Sequence, residues 1–499
     1  MKTLTNKVTL INVISSLLFQ ILTIINGFII PRLILSYFGS DVNGLTTSIS
    51  QFLTYISLIE GGITGVIMAS LYKPLYEKDY SKISSIVNTA NSFYRKIGSI
   101  FILYSIIIAI LYPLIFDINF SFIYVFLLTI ILSISLFVQY MFSLTAKTLL
   151  NADKKVYIVS LTQSIILIIN IILAFISVKI YPSIHMLKFI SGILFIFQPI
   201  IFNSYIKKHY DLNKKSPKDK NLLKSRWDGF AINIAAFIHN GTDIAILTIF
   251  TDLYTVSIYG VYALVCTGIK QIINSITTGI NPTIGEAYAK NNTSELNDKM
   301  DIYEYIILVL VFLMFTIGGL LITPFVMIYT NGIKDTNYYQ PIFGVLLLIS
   351  EAVYLIKNPH LNLAYSANKF KDIKIPAFIE ALLNIFLSII LVSKFGLNGV
   401  AIGTLVAMTY RMVFQINYTS KLIKDRKQTA FYKKIFIFVI TTILGLVVCN
   451  FIPKTQYNIM SWLIHGIIYL IIFLSLYFII SLMFFKNELK YFKKYLFRK

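Results

Sequence analysis

Acidic residues are scarce in this chain: 22 Asp and Glu stand against 44 Lys and Arg among 499 residues, and charged residues of both signs make up only 13%. That is too little charge to cover a water-soluble domain of such length. Cysteine is nearly missing as well. Cys266 and Cys449 both fall inside apolar stretches, which excludes a disulfide framework and a CxxC metal site and leaves them as small buried hydrophobes. The chain holds no Walker A, HExxH or GxSxG arrangement, so ATP-driven work and the usual hydrolase and metalloprotease chemistry drop out. Long polar stretches are missing too, leaving no room for an enzymatic domain. No catalytic residue, metal site or cofactor is expected.

Apolar sequence is what the chain has in quantity: 57% hydrophobic and 15% aromatic, with a mean hydropathy of +0.75. The bilayer is its solvent. A formal charge of +22 would suggest nucleic acid in a soluble protein, but here the basic residues flank apolar runs and face anionic lipid headgroups, so no nucleic-acid partner is expected. Lys2 and Lys7 precede an apolar run over 8–30 that is too long for a secretory signal. It ends in Pro31-Arg32 without a small-residue cleavage site, so it is a retained first span.

A span takes about 20 mainly apolar residues. Fourteen segments qualify: 9–31, 43–70, 96–116, 120–150, 156–180, 184–206, 229–250, 254–285, 303–329, 338–366, 374–393, 398–421, 435–452 and 460–485. Basic residues test this division independently. Arg32, Lys179, Lys188, Lys334, Lys394 and Lys454 fall in or within a few residues of one set of alternating gaps, and Lys270, Lys357 and Arg411 lie deep inside spans. The remaining 35 of the 44 fall in or within a few residues of the other gaps and at the termini. By the positive-inside rule both termini are cytoplasmic. The fold class is an all-α polytopic membrane protein of about fourteen transmembrane helices.

The halves repeat with a displacement near 215 residues. Asn151-Ala152-Asp153-Lys154 answers to Ser366-Ala367-Asn368-Lys369, Phe197-Gln198 to Phe414-Gln415, and Gly44 to Gly260. Six spans per half make the repeat parallel, about an axis along the membrane normal. The expected division is a six-helix lobe over 1–206, a basic cytoplasmic linker over 207–228, a second lobe over 229–421, and two extra helices with a basic tail over 422–499. Helical spacing from Tyr72 to Tyr94 predicts an amphipathic helix on the inner surface, and the tail from Phe485 predicts another.

Polar residues inside a span turn toward other helices or a wet cavity. Span 8 has Thr267, Lys270, Gln271, Asn274, Thr278 and Asn281 on one stripe, and span 2 has Thr47, Ser48, Gln51, Thr54 and Tyr55, with Glu60 beyond. Span 1 offers Asn12, Ser16, Thr23 and Asn26, while span 7 offers Asn233, Asn240 and Asp243 with His239 nearby. These four spans are expected to line a central cavity, with Gly61, Gly62, Gly65, Gly279, Pro282 and Gly285 as hinges or close-packing points.

Lys270, mid-span, is either an anion-binding cation or the structural partner of Asp243 or Glu60. Arg411 suits phosphate oxygens or, equally, helix carbonyls. Lys357, beside Asn358-Pro359-His360, binds substrate or snorkels to the surface. Arg32 guards the outer mouth or anchors the interface. Glu60, Asp243 and Glu351 are ion-coupling candidates for Na+ or H+, with pairing to a base as the alternative. Glu380 is expected to reach the interface, and His239 to be packed.

The run Ile29-Ile30-Pro31-Arg32, then Tyr37-Phe38-Gly39, Gly44-Leu45, Gln51-Phe52 and Leu58-Ile59-Glu60-Gly61-Gly62-Ile63, with Tyr72-Lys73-Pro74-Leu75 beyond, resembles the polysaccharide (O-antigen type) flippases of the MATE/MOP superfamily. The segment 394–404, Lys394-Phe395-Gly396-Leu397-Asn398-Gly399-Val400-Ala401-Ile402-Gly403-Thr404, is similar to one common there. The resemblance implies two pseudo-symmetric six-helix lobes in a V, plus two C-terminal helices. It implies an undecaprenyl-diphosphate-linked oligosaccharide moved from the inner to the outer leaflet of the bacterial cytoplasmic membrane, for cell-surface polysaccharide export. Cationic side chains in spans 1, 2 and 8 serve the headgroup in such proteins, and Lys270 is the matching position in span 8. Arginines are few in spans 1 and 2, with only Arg32 at an edge, which sets the chain apart from the lipid II pattern. On this reading Lys270 and Arg411 bind phosphate, and Gln51, Asn240 and Asn274 bond sugar hydroxyls. A polysaccharide polymerase and glycosyltransferases are candidate partners. The rival is a cation-coupled multidrug or small-solute antiporter of the same superfamily, and a membrane-embedded polymerase or glycosyltransferase is discounted because every outer gap is short.

Overall fold

The computed structural model describes residues 2–60, 62–116, 119–219, 222, 237–238, 241–277, 280–290, 292–423 and 426–489. Helix α1 (Lys2–Thr54) joins two of the expected spans and turns at Gly39, whose φ of 89° is open to glycine at little cost. The second span continues through a single turn, α2 (Ser57–Glu60), and α3 (Ile63–Glu77), so it is broken, with Glu60 at the break. Helix α4 (Tyr80–Ile115) begins on Asp79, which caps it by accepting from the Lys82 amide at 3.0 Å.

That cap corrects one expectation. Residues 72–94 are not one amphipathic surface helix: Lys78 turns left-handed, α3 ends there, and Ile83, Ala90 and Tyr94 of α4 are buried in the core. The second amphipathic segment runs mostly past residue 489 and lies largely outside the described residues.

Helix α5 (Phe122–Val138) passes through a π-helical turn (Gln139–Ser143) into α6 (Leu144–Ala152), and α7 (Val156–Ile180) follows. Between α8 (Ile184–Leu194) and α9 (Phe197–His209) the helix breaks where the ring of Pro199 would meet the carbonyl four residues earlier, at Phe195. Then come α10 (Gly241–Phe250), α11 (Leu253–Thr277), α12 (Asn281–Ala289), α13 (Thr293–Tyr329), α14 (Pro341–Ile356), α15 (Asn358–Ser366), α16 (Phe370–Phe395), α17 (Leu397–Thr419), α18 (Gln428–Cys449) and α19 (Ile459–Phe484). Pro359, in the first turn of α15, has no N–H for the Leu355 carbonyl, so α14 and α15 part at Lys357.

Among the described residues, twelve helical segments are long and apolar enough to cross a membrane. Hydropathy gave fourteen; α1 merges two of them, and of 229–250 only 237–238 and α10 are described. The chain is a multi-pass, all-helical membrane protein.

The repeat is carried by helix ends. After α6 the Lys155 amide donates to Leu150 at 2.8 Å with Lys154 at φ 58°; after α15 the Lys369 amide donates to Ala364 at 3.0 Å with Asn368 at φ 54°. The two left-handed residues are 214 positions apart, and the same shift takes the start of α7 to the start of α16. Capping repeats as well: Asn292 accepts from Glu295 at the head of α13, as Asp79 does for α4. Identical terminations at matching places mark two copies of one helical arrangement.

Packing divides the chain into Met1–Ser257 and Ile258–Lys499, a boundary inside α11, whereas the sequence repeat divides at the linker. In the first unit, span 1 behaves differently from expectation. Asn12 donates to the Lys154 carbonyl (2.7 Å) and accepts from the Tyr157 amide (2.9 Å), Ser16 meets Ser160, and Asn170 donates to Asn26 (3.1 Å). These polar residues fasten α1 to α7 instead of wetting a cavity. The described part of the linker is a strap along α4: Asn88 donates to the Asn213 and Ser216 carbonyls, Ser85 to Pro217, and the Asp219 amide to Thr89. At its start, burial and the Asp153 carboxylate that accepts its hydroxyl at 2.5 Å push the Tyr210 phenol above its ordinary range.

In the second unit α16 and α17 pack closely because Gly399 and Gly403 leave room. A Cβ on Gly403 would stand 2.5 Å from Ser388 Oγ and 2.8 Å from Ser388 N. Gly403→Val therefore forces the helices apart, and its expected cost is about 1–3 kcal/mol as overpacking, read as a lowered melting temperature in detergent; an unchanged melting temperature refutes it. Helices α18 and α19 lie on α13, where Trp462 donates to the Leu321 carbonyl (3.1 Å) and Tyr305 to Ser481 (2.7 Å).

Candidate functional site

The three cations that the sequence buries in spans converge in the second unit. Lys270 of α11 pairs with Glu351 of α14 (Nζ–Oε1 2.8 Å), an acid of its own unit. Lys357, at the α14–α15 junction, points its Nζ 3.3 Å from the centre of the Tyr354 ring and donates to the Tyr354 carbonyl at 3.1 Å. The same ring has Lys270 Nζ 5.6 Å from its centre. Arg411 of α17 pairs with Glu380 of α16 (3.4 Å) and donates to the Ile373 carbonyl at 3.0 Å. Nearby, Asn384 donates to Thr404 (2.8 Å) and ties α16 to α17.

Two expectations fail here for one reason. Lys357, 2% exposed, does not snorkel, and Glu380, 5% exposed, does not reach the interface; each finds an electrostatic partner in the helix interior, where leaving one unpaired would be more costly than turning inward. The pairs differ in access. Lys270 and Glu351 side chains are 14% and 13% exposed, Arg411 and Glu380 only 4% and 6%. Three basic side chains, Lys270, Lys357 and Arg411, thus share this region with two carboxylates, Glu351 and Glu380.

The first unit places the opposite sign at the matching point. Tyr140, in the π-turn, is the repeat counterpart of Tyr354, 214 positions on. It donates to Glu60 Oε2 at 3.3 Å, while Thr64 donates to Glu60 and exchanges a 2.7 Å hydrogen bond with Tyr94. Lys147 of α6 lies in electrostatic reach of that carboxylate. Each unit thus sets a tyrosine at an irregular point of a helix, against an acid in one and cations in the other.

The remaining sequence candidates are placed each within its own unit. Gln51 donates to Thr54 (3.3 Å) and lies against Gly241 in the first unit. Asp243 is buried on α10, Arg32 is half-buried on α1 and Asn274 is exposed on α11. Asn240, with Asn233, His239, Gly61, Gly279 and Thr278, lies outside the described residues.

Sequence reasoning missed Glu304. It stands 1% exposed in α13, within the expected span 303–329, and binds Arg426 (2.6 Å) and Lys434 (3.3 Å), with His360 Nε2 3.6 Å away. Asp301 bridges the same cations, and Glu488 lies 3.5 Å from Lys434. The signal was available as a carboxylate eleven residues into the helix, at the point where its sequence turns to Ile, Leu and Phe.

No protein-family model matches the chain, and no curated protein matches it. Solved structures do. The lipid II flippase MurJ in an inward closed conformation superposes with a TM-score of 0.67 at 19% identity, covering 95% of this chain and 99% of that one. An inward-facing multidrug resistance MATE family transporter of the MOP superfamily gives 0.60 at 14% identity, over 83% and 96%. The MATE multidrug transporter DinF-BH, solved as a complex, gives 0.60 at 16% identity, over 85% and 96%. The chain has the fold that the MurJ and MATE structures share.

Proposed function

We propose that this chain is a flippase for a lipid-linked oligosaccharide, carrying an undecaprenyl-diphosphate-linked repeat unit from the inner to the outer leaflet of a bacterial cytoplasmic membrane by alternating access. The observation that carries the reading is the cluster of basic side chains around Lys270, whose most accessible ion pair is the mid-span Lys270–Glu351. A cation kept at the centre of a span costs roughly 2.5–3.5 kcal/mol on insertion scales, and an anionic headgroup is the ligand that uses it. Lys270 meets the phosphate, Arg411 and Lys357 supply field from behind, and Gln51, Asn240 and Asn274 bond sugar hydroxyls, with Arg32 at the outer mouth. Both termini face the cytoplasm, and the basic strap and tail rest on anionic lipid. Glu60, Asp243 and Glu351 remain the candidates for Na+ or H+ coupling, and a polymerase and glycosyltransferases the candidate partners.

Lys270→Gln abolishes surface glycan export on this reading while the protein still reaches the membrane. Because Glu351 is then left without its cation, Lys270→Gln/Glu351→Gln serves as the folded control. Undiminished surface polysaccharide in either variant, with monodisperse protein by size exclusion, sinks the assignment.

A second reading has its own observation: the Glu60 carboxylate with Tyr94 and Tyr140 in the first unit suits a cationic drug, as in an antiporter. Energised efflux of ethidium that Glu60→Gln eliminates and Lys270→Gln spares would favour it.

A further inference from the structure

We propose that Glu351 is a built-in competitor for the substrate anion, occupying Lys270 until a diphosphate displaces it, and so sets the affinity and charge selectivity of the site. The inference rests on the flippase reading. Its ground is the difference between the two carboxylate pairs. Glu380 holds Arg411 where both side chains are sealed from solvent, and the Ile373 carbonyl accepts from the same guanidinium, which is the geometry of a packing element. Glu351 instead holds Lys270 by one contact at 2.8 Å, with both side chains still partly exposed. A lysine ammonium rotates its three donors freely and gives no bidentate fork, so one oxyanion is readily exchanged for another.

Charge points the same way. With Glu351 in place the Lys270 ammonium is matched by one carboxylate. A diphosphate diester carries one negative charge on each phosphorus, two in all. It offers Lys270 and the basic side chains behind it more charge than the carboxylate it displaces, whereas a phosphate monoanion only exchanges one single charge for another. The carboxylate therefore disfavours small monoanions and yields to a diphosphate. The Tyr354 ring, shared by Lys270 and Lys357, keeps the two ammonium groups near one another once the carboxylate has left.

The test is equilibrium calorimetry of the full chain in phosphatidylcholine nanodiscs, titrated with inorganic pyrophosphate and with geranyl diphosphate. Glu351→Gln is expected to bind geranyl diphosphate at least about tenfold more tightly than wild type, since a like charge a few ångströms away has been removed. Glu351→Asp returns affinity toward wild type, and Lys270→Gln/Glu351→Gln loses the gain. A purely structural Glu351 cannot produce a gain. The gain is expected with both probes, because both present a diphosphate to Lys270; tighter absolute binding of geranyl diphosphate than of pyrophosphate supports a lipid-linked ligand, and equal or weaker absolute binding of geranyl diphosphate overturns the lipid-linked source while the competitor role stands. Unchanged or weaker binding by Glu351→Gln overturns the competitor role and leaves the flippase reading standing. Binding of neither probe to any variant overturns the flippase reading itself, because Lys270 would then refuse an anion with no competitor present.

Discussion

Glu304→Ala will destabilise the second unit by about 3–5 kcal/mol, the usual consequence of removing one partner from a buried ionic cluster. Glu304 joins α13 to Arg426 of the connection after α17 and to Lys434 of α18. Burial alone would lower the Arg426 pKa, but Glu304 and Asp301 outweigh it and raise it. The guanidinium therefore stays charged, and deleting Glu304 strands it instead of neutralising it. Asp301 cannot take over, being 41% exposed and already shared by both cations. The change should appear as a large drop in melting temperature, with loss of the monodisperse peak in mild detergent. Asp301→Ala, at the wetter edge, should cost clearly less. Equal effects from the two variants would show that the cluster does not work through burial.

This cluster also bounds what was legible. The charge pattern located the spans because hydropathy and positive-inside bias act on whole segments, and several segment ends in the structure fall close to a capping or proline signal: Asp79, Asn292, Pro199, Pro359. Partner choice was not legible. Lys270 had three acids of suitable depth, and only the packing of α11 on α14 selects Glu351. Arg426 and Lys434, counted from sequence as orienting charges alone, also close a buried network. The polar stripe of span 1 failed in the same way. Helical spacing shows that Asn12, Ser16 and Asn26 share a face, yet water and the polar face of α7 are equivalent solutions to the same desolvation problem.

The repeat shows why the two units differ chemically. It preserves backbone devices, a cap, a left-handed turn, a tyrosine at a helix irregularity, because these decide where helices stop. It does not preserve the ion that meets the tyrosine: Glu60 faces Tyr140, whereas Lys270 and Lys357 face Tyr354. An offset found in the sequence therefore transfers architecture between halves and leaves the site residues to be found separately in each.

Glu380→Ala is the second large effect, again about 3–5 kcal/mol, and its value lies in what reverses it. It leaves Arg411 3% exposed with the Ile373 carbonyl as its hydrogen-bond acceptor. Glu380→Leu/Arg411→Met removes both charges, fills the space with apolar atoms and is expected to restore most of the stability, because a buried pair offers little over well-packed hydrocarbon. The double variant also leaves the net charge of the network unchanged. If Lys270 meets the headgroup and Arg411 only holds α17 to α16, the double variant must keep glycan export near the wild-type level while Lys270→Gln loses it. A stable double variant that has lost export would place Arg411 on the substrate, and would mean that α17 moves far enough during transport to uncover a guanidinium that is sealed in this conformation.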